Sequence, residues 1–211
     1  MKIKICGITR PTEAQYLNAA AVDYAGFVFH PPSKRNVTIP QAKDIMESLN
    51  PGIKRVAVLV SPDTAQIEEL QEVGFDLLQI HGDLRMEAIE HAKIPLWYAV
   101  NIADPATLAE KTEFLAGLPS ALREKIIGIV VDGAEYGGGK TFDWTDSRWR
   151  DMEFLNGRSL ILAGGLSEAN VQTGIRLFSP DVVDVSSGVE GENGKDEKKL
   201  NEFIRKVREH E

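Results

Sequence analysis

The one cysteine of the chain, Cys6, stands at the end of an extended apolar run, Lys2-Ile3-Lys4-Ile5-Cys6-Gly7-Ile8-Thr9, where strand gives way to loop. A thiolate there could be a base or a nucleophile, and a free thiol with a pKa of about 8.5 needs only a modest downward shift to act at neutral pH. The competing use of such a residue is as a small buried hydrophobe. Asp132 closes another run, Ile127-Gly128-Ile129-Val130-Val131-Asp132, ahead of Gly133 and Gly137-Gly138-Gly139. Held protonated or hydrogen-bonded, it could serve as a general acid; otherwise it caps its own turn. Arg35, in Pro31-Pro32-Ser33-Lys34-Arg35, carries a planar fork that fits a carboxylate, with Lys34 beside it read as solvated charge. His81, after Leu77-Leu78-Gln79-Ile80, could touch a ligand or simply be a hydrogen-bonded neutral imidazole, and no second His or Cys stands at metal-ligand spacing nearby. Neither a metal nor a cofactor is expected.

Two small-residue loops lie toward the other end of the chain, Leu162-Ala163-Gly164-Gly165-Leu166 and Asp184-Val185-Ser186-Ser187-Gly188-Val189-Glu190, each after an apolar run. Paired loops of this kind can cradle one phosphate through backbone N–H groups, which makes Gly164, Gly165, Ser186, Ser187 and Gly188 candidate ligands. Gly139-Lys140-Thr141 looks like the end of a nucleotide P-loop, but the glycine that motif needs five residues earlier is Ala134. A loop that closes over substrate is the better functional reading of that stretch.

The elements that must position these residues alternate. Apolar, β-branched runs at Ile3 to Cys6, Tyr24 to Phe29, Arg55 to Val60, Leu77 to Ile80, Leu96 to Val100, Ile127 to Val131, Leu160 to Ala163 and Val182 to Val185 predict eight strands. Helical patterns fall between them, over Pro11 to Ala21, Pro40 to Leu49, Asp63 to Val73, Leu84 to Ala92, Pro105 to Leu115 and Ser167 to Phe178, with a last helix from about Asp196 to Arg208. Ser61-Pro62-Asp63 and Ser167-Glu168-Ala169-Asn170 read as helix starts. The segment from Asp143 to Asn156 has no clear pattern. Repeated βα units imply parallel strands with right-handed crossovers, and eight of them in 211 residues fit a single (β/α)8 TIM barrel domain over 1–211. A doubly wound open sheet is the alternative, but its phosphate loop would more often follow the first strand.

Parity along the strands sharpens this picture, because alternate residues face opposite sides. Ile3 and Ile5 should pack on the helices, while Lys4 and Cys6 face the barrel interior. A buried ammonium needs a partner, and Asp184, on the strand that becomes adjacent when the barrel closes, is the first candidate.

A net charge of −8 argues against a broad surface for nucleic acid or for an acidic membrane, so an anionic ligand would need a local positive site. The lone cysteine suits a reducing compartment, no signal-like segment opens the chain, and no apolar run approaches the roughly 18 residues that would span a bilayer. A cytoplasmic protein, monomer or homodimer, is expected.

Taken together the motifs resemble the phosphoribosylanthranilate isomerase family: Lys4-Ile5-Cys6-Gly7-Ile8-Thr9, Gly26-Phe27-Val28-Phe29, Ser33-Lys34-Arg35, Gln79-Ile80-His81-Gly82, Lys140-Thr141-Phe142-Asp143-Trp144, Ala163-Gly164-Gly165-Leu166, Asn170-Val171, Asp184-Val185-Ser186-Ser187-Gly188-Val189-Glu190 and Lys195-Asp196, in the family's order. The resemblance implies a (β/α)8 barrel that carries out an Amadori rearrangement of a small phosphorylated substrate without a cofactor, in tryptophan biosynthesis. It also implies Cys6 as base, Asp132 as acid, Arg35 on the anthranilate carboxylate, and phosphate between the Gly164-Gly165 and Ser186-Ser187-Gly188 loops, near a short helix N-terminus. Two departures stand out: Tyr136-Gly137-Gly138-Gly139-Lys140 is one residue short of the family's usual loop, and Asn36 replaces a common Tyr. A histidine-pathway aminoaldose isomerase would be expected to carry Asp in place of Cys6, and indoleglycerol-phosphate synthase depends on lysines at strand ends where Lys4 lies too deep. A binding module that has lost turnover would not need both Cys6 and Asp132.

Overall fold

The structure is a computed structural model and describes residues 1–101, 105–132, 155 and 157–209. The expected closing loop (Gly137-Gly138-Gly139, Lys140, Thr141), Trp144 and nearly all of the unpatterned segment after Asp143 lie outside those residues.

Eight parallel strands close into a barrel in sequence order: β1 (Lys2–Cys6), β2 (Tyr24–Phe29), β3 (Lys54–Val60), β4 (Leu77–His81), β5 (Leu96–Asn101), β6 (Ile126–Asp132), β7 (Ser159–Leu162) and β8 (Val182–Val185). Each strand was anticipated to within one or two residues, because β-branched runs bounded by Gly, Pro and Asp have little other use in a chain of this pattern. The ring shuts where β1 pairs with β8, with Lys4 opposite Asp184 and Ile5 opposite Val185.

Helices α1 (Pro11–Ala20), α2 (Ile39–Glu47), α3 (Thr64–Val73), α4 (Met86–His91), α5 (Pro105–Gly117), α6 (Ser120–Arg123), α7 (Val171–Phe178) and α8 (Glu197–Arg208) wrap the outside. Local chemistry sets several of their starts: the Asp63 carboxylate accepts from the Gln66 N–H at 2.8 Å, and Asp196 accepts from Lys199 N–H at 2.9 Å, each satisfying a donor that a helix leaves unpaired. The expected start at Ser167 is displaced. The Asn170 side chain instead folds back to accept from Ser167 N–H and to donate to the Gly165 carbonyl, and α7 begins at Val171. The one-turn α6 and a hairpin of β9 (Glu190–Gly191) with β10 (Gly194–Lys195) are additional to the expected elements.

Strand parity divides the core in two. Ile3, Ile5, Ala57, Leu59, Leu78, Ile80, Ile129 and Val131 point outward into the layer between strands and helices. The inner cluster contains Val56, Val58, Leu77, Trp97, Ala99, Val130, Ile161, Ala163 and Val182, with Cys6, Tyr24 and Val28 against it. Trp97, 2 % exposed and tilted against the Tyr24 ring with centroids 4.9 Å apart, plugs the barrel below the cysteine. Continuing the inward parity to the C-terminal strand ends brings Cys6, Gln79, His81, Asp132 and Asp184 to one mouth. Among the described residues no helix is long and apolar enough to cross a membrane.

Candidate active site

That mouth opens into a cleft of about 390 Å³, whose wall includes Cys6, Arg35, His81, Asp132, Gly164, Gly165, Ser186 and Ser187. So eight of the nine anticipated residues share one cavity although they come from six different strands or the loops behind them. Gly188 is the exception. It stands in the 3₁₀ turn Ser187–Val189, and a Cβ there would overlap the Leu166 carbonyl oxygen, so its role is to let the loops after β7 and β8 touch. Gly164 and Gly165 both have positive φ, 80° and 67°, a conformation that suits glycine and leaves the loop backbone open to the cleft. Ser186 donates from Oγ to the Cys6 carbonyl at 2.9 Å, tying the phosphate-type loop to the cysteine strand.

Lys4 meets the expectation in full: it is completely buried and its Nζ lies 2.8 Å from Asp184 Oδ2. Burial works against the ammonium, but Asp184 and the Cys6 sulfur outweigh it and hold the Lys4 pKa above the ordinary value. Burial pushes the Cys6 thiol up; Lys4 and Lys195 pull it partly back while Asp184 adds to the rise.

Arg35 is placed differently from a free carboxylate fork. It is 8 % exposed, and Nε and Nη2 donate to the two oxygens of Glu190 at 2.6 and 3.0 Å. The same carboxylate takes the Lys195 ammonium at 2.9 Å and that of Lys34 at 3.2 Å. Burial disfavours the Glu190 carboxylate, yet Arg35 and Lys195 overcome it and hold its pKa well below the usual range. Three cations around one carboxylate leave this rim positive in a protein of net charge −8. A local concentration of cations of this kind is what an anionic ligand of an acidic protein would need. Glu190 and Lys195 were not singled out as site residues; both sit in the quoted motifs, but nothing in a linear reading brings their side chains to an arginine 155 positions away.

His81 Nε2 and the Gln79 side-chain amide are hydrogen-bonded at 2.9 Å, in a direction set by the ring tautomer. Burial, with the nearby positive charges of Lys4 and Lys111 adding to it, lowers its pKa to about 3, so the ring is neutral at working pH. A further lysine fixes the turn behind it: Lys111, on α5, donates to the Gly82 carbonyl and to the Tyr98 hydroxyl, both at 2.7 Å.

A family model described as N-(5'phosphoribosyl)anthranilate (PRA) isomerase matches residues 3–206. The chain belongs to this isomerase family. Relatives of the same name include one from Thermoanaerobacter sp. (strain X514), 41 % identical over 99 % of this chain and 98 % of its own length, and one from Clostridium kluyveri, 35 % identical over the same shares. Among solved structures, the phosphoribosyl anthranilate isomerase of Thermotoga maritima superposes with a TM-score of 0.83 at 32 % identity, covering 99 % of each chain. Another isomerase, solved in complex with reduced 1-(o-carboxyphenylamino)-1-deoxyribulose 5-phosphate, superposes with a TM-score of 0.81 at 29 % identity and 99 % coverage of both. Agreement over nearly the whole chain in both sequence and shape makes the fold the TIM barrel of this isomerase family.

Proposed function

We propose that this chain, acting as one (β/α)8 domain in the cytoplasm, uses Cys6 and Asp132 as base and acid in converting N-(5'-phosphoribosyl)anthranilate to 1-(2-carboxyphenylamino)-1-deoxyribulose 5-phosphate, a step of tryptophan biosynthesis. The observation that carries the assignment is that Cys6, ending β1, and Asp132, ending β6, reach the same cleft from separate sides of the ring. A substrate lying between them can be protonated at one atom and deprotonated at another.

Protonation of the furanose ring oxygen by Asp132 breaks the C1–O bond as the anthranilate nitrogen lone pair closes a C1=N Schiff base. Cys6 as thiolate then takes the C2 proton, and the C–H pair becomes the C1=C2 bond of an enolamine, which tautomerises to the ketone. The positive rim at Arg35 supports binding of the anthranilate carboxylate: Glu190 uses one edge of the guanidinium, and Nη1 remains for the ligand. The phosphate would rest between Gly164-Gly165 and Ser186-Ser187, with His81 as a neutral contact to the sugar. No step calls for a metal or cofactor.

The test is turnover of freshly prepared phosphoribosylanthranilate by the wild type beside folded Cys6→Ser and Asp132→Asn proteins. Each variant should lose at least ~100-fold, the low end for a general acid or base. Survival of activity in either one would overturn that residue's role.

A further inference from the structure

Proton abstraction needs a thiolate, yet burial pushes the Cys6 thiol up, away from the state the reaction uses. Some cation must offset this, and among the described residues the groups around the sulfur can be taken in turn, with His30, which lines the same cleft, belonging to the loop after β2. From the end of the chain, Lys195 Nζ already donates to Glu190 Oε1, the Ser186 carbonyl and Ser186 Oγ, at 2.9, 3.1 and 3.2 Å, which occupies its three hydrogens. From the loop after β2, Arg35 commits Nε and Nη2 to Glu190. His81, on β4, is neutral, and Asp132, on β6, and Asp184, on β8, carry no positive charge. Lys4 remains, on the same inward face of β1, two residues before Cys6.

Its position is specific. Among the described residues Lys4 makes one ion pair, at 2.8 Å with Asp184, and this fixes the ammonium without using all its hydrogens. On the neighbouring strand Gly26 lies opposite Cys6, and a Cβ at Gly26 would stand 2.9 Å from Cys6 Sγ and 3.0 Å from Lys4 Nζ. Sulfur and ammonium therefore converge on the one point in β2 that has no side chain. The absent methyl group is the space in which they approach each other.

We propose that Lys4 is the counter-ion of the Cys6 thiolate, held under the cleft floor by Asp184, so that a lysine with no contact to substrate sets the strength of the base. Lys4 is thus a positioning residue acting through Cys6. When the thiolate takes the C2 proton, the ammonium stays charged and paired with Asp184, and it is ready to favour loss of that proton in the next cycle. This assignment rests on Cys6 being the base.

Because Cys6 is the one cysteine, the ultraviolet absorbance of its thiolate can be titrated directly in the substrate-free protein, with Cys6→Ser as the blank. Lys4→Met should raise the thiol titration, and each unit of rise should remove about tenfold of the turnover at neutral pH, recoverable at higher pH. Lys4→Arg, which keeps a cation, should restore most of both. Asp184→Asn should move the titration downward, since it removes a carboxylate and releases the ammonium to the sulfur. Opposite shifts cannot come from general damage to the site, and Lys4→Gln, a second neutral replacement, decides the matter if Lys4→Met does not fold. An unshifted titration in Lys4→Met, or an upward shift in Asp184→Asn, would overturn the proposal. Full activity in Cys6→Ser would instead remove the base assignment on which it stands.

Discussion

Arg35 presents Nε and Nη2 side by side to the Glu190 carboxylate at 2.6 and 3.0 Å, and that carboxylate also holds the fully buried Lys195 side chain. A planar fork bound along one edge has its other edge aimed, so Glu190 orients the group proposed to receive the substrate's carboxylate.

Replacing Glu190 by Gln keeps the shape of that contact and removes its charge. KM for phosphoribosylanthranilate should rise about tenfold, on the order of 1.4 kcal/mol, while kcat changes far less, since the contact is the same in ground and transition states. Steady-state kinetics decide it; a fall in kcat at unchanged KM would show that Glu190 does not work through Arg35.

His81 makes stability depend on pH. Its native pKa of about 3 lies below the ordinary value of 6.5, so between those limits the unfolded chain binds a proton that the native protein refuses. The stabilisation is therefore complete above pH 6.5 and drains away as pH falls toward 3, by at most about 1.4 kcal/mol per pH unit from this residue. Urea midpoints measured across that window should fall less steeply for His81→Asn than for the wild type.

Gly188 sits where the two phosphate-type loops meet, against the Leu166 carbonyl. Gly188→Ala should push them apart, costing on the order of 1–3 kcal/mol of stability and weakening binding of the product or of inorganic phosphate. Calorimetric titration of phosphate would register the second effect; unchanged affinity would mean that loop contact does not shape the anion site.

Trp97 fills the barrel beneath Cys6, and its indole lies so close to Gly128 that a Cβ there would meet Cδ1 and Nε1. Trp97→Ala should cost about 3–5 kcal/mol by leaving a cavity that the ring of strands cannot collapse to fill. Chemical denaturation would measure the loss directly.

What a linear reading can recover here follows from what is periodic. Parity along Lys2–Cys6 and Val182–Val185, joined to the rule that the last strand of a closed barrel meets the first, was enough to pair Lys4 with Asp184, because both inferences use only local alternation and closure. The Gly164-Gly165 and Ser186-Ser187 loops were legible for the same reason, each following directly on a strand end. Glu190 was not, since its partners come from the loop after β2 and from the hairpin after β8, and their meeting depends on irregular backbone that has no period. Asn170 does stand at the N-cap position of α7, but its side chain bonds the Ser167 N–H and the Gly165 carbonyl instead of capping the helix. Asp63, with no such competitor, capped its helix as expected.

The pairing of β1 with β8 has a consequence for the protein's synthesis. Asp184 follows Lys4 out of the ribosome by 180 residues, on the order of 10–40 s at ordinary elongation rates. Through that interval the first strand has no neighbour on one side, its lysine must stay hydrated, and its cysteine has neither the Ser186 bond nor a closed cleft around it. A ribosome that stops before β8 releases a chain with the thiol but without the carboxylate that anchors its counter-ion. Turnover by this enzyme is in that sense a signal of ring closure, switched on only when the eighth strand has joined the first.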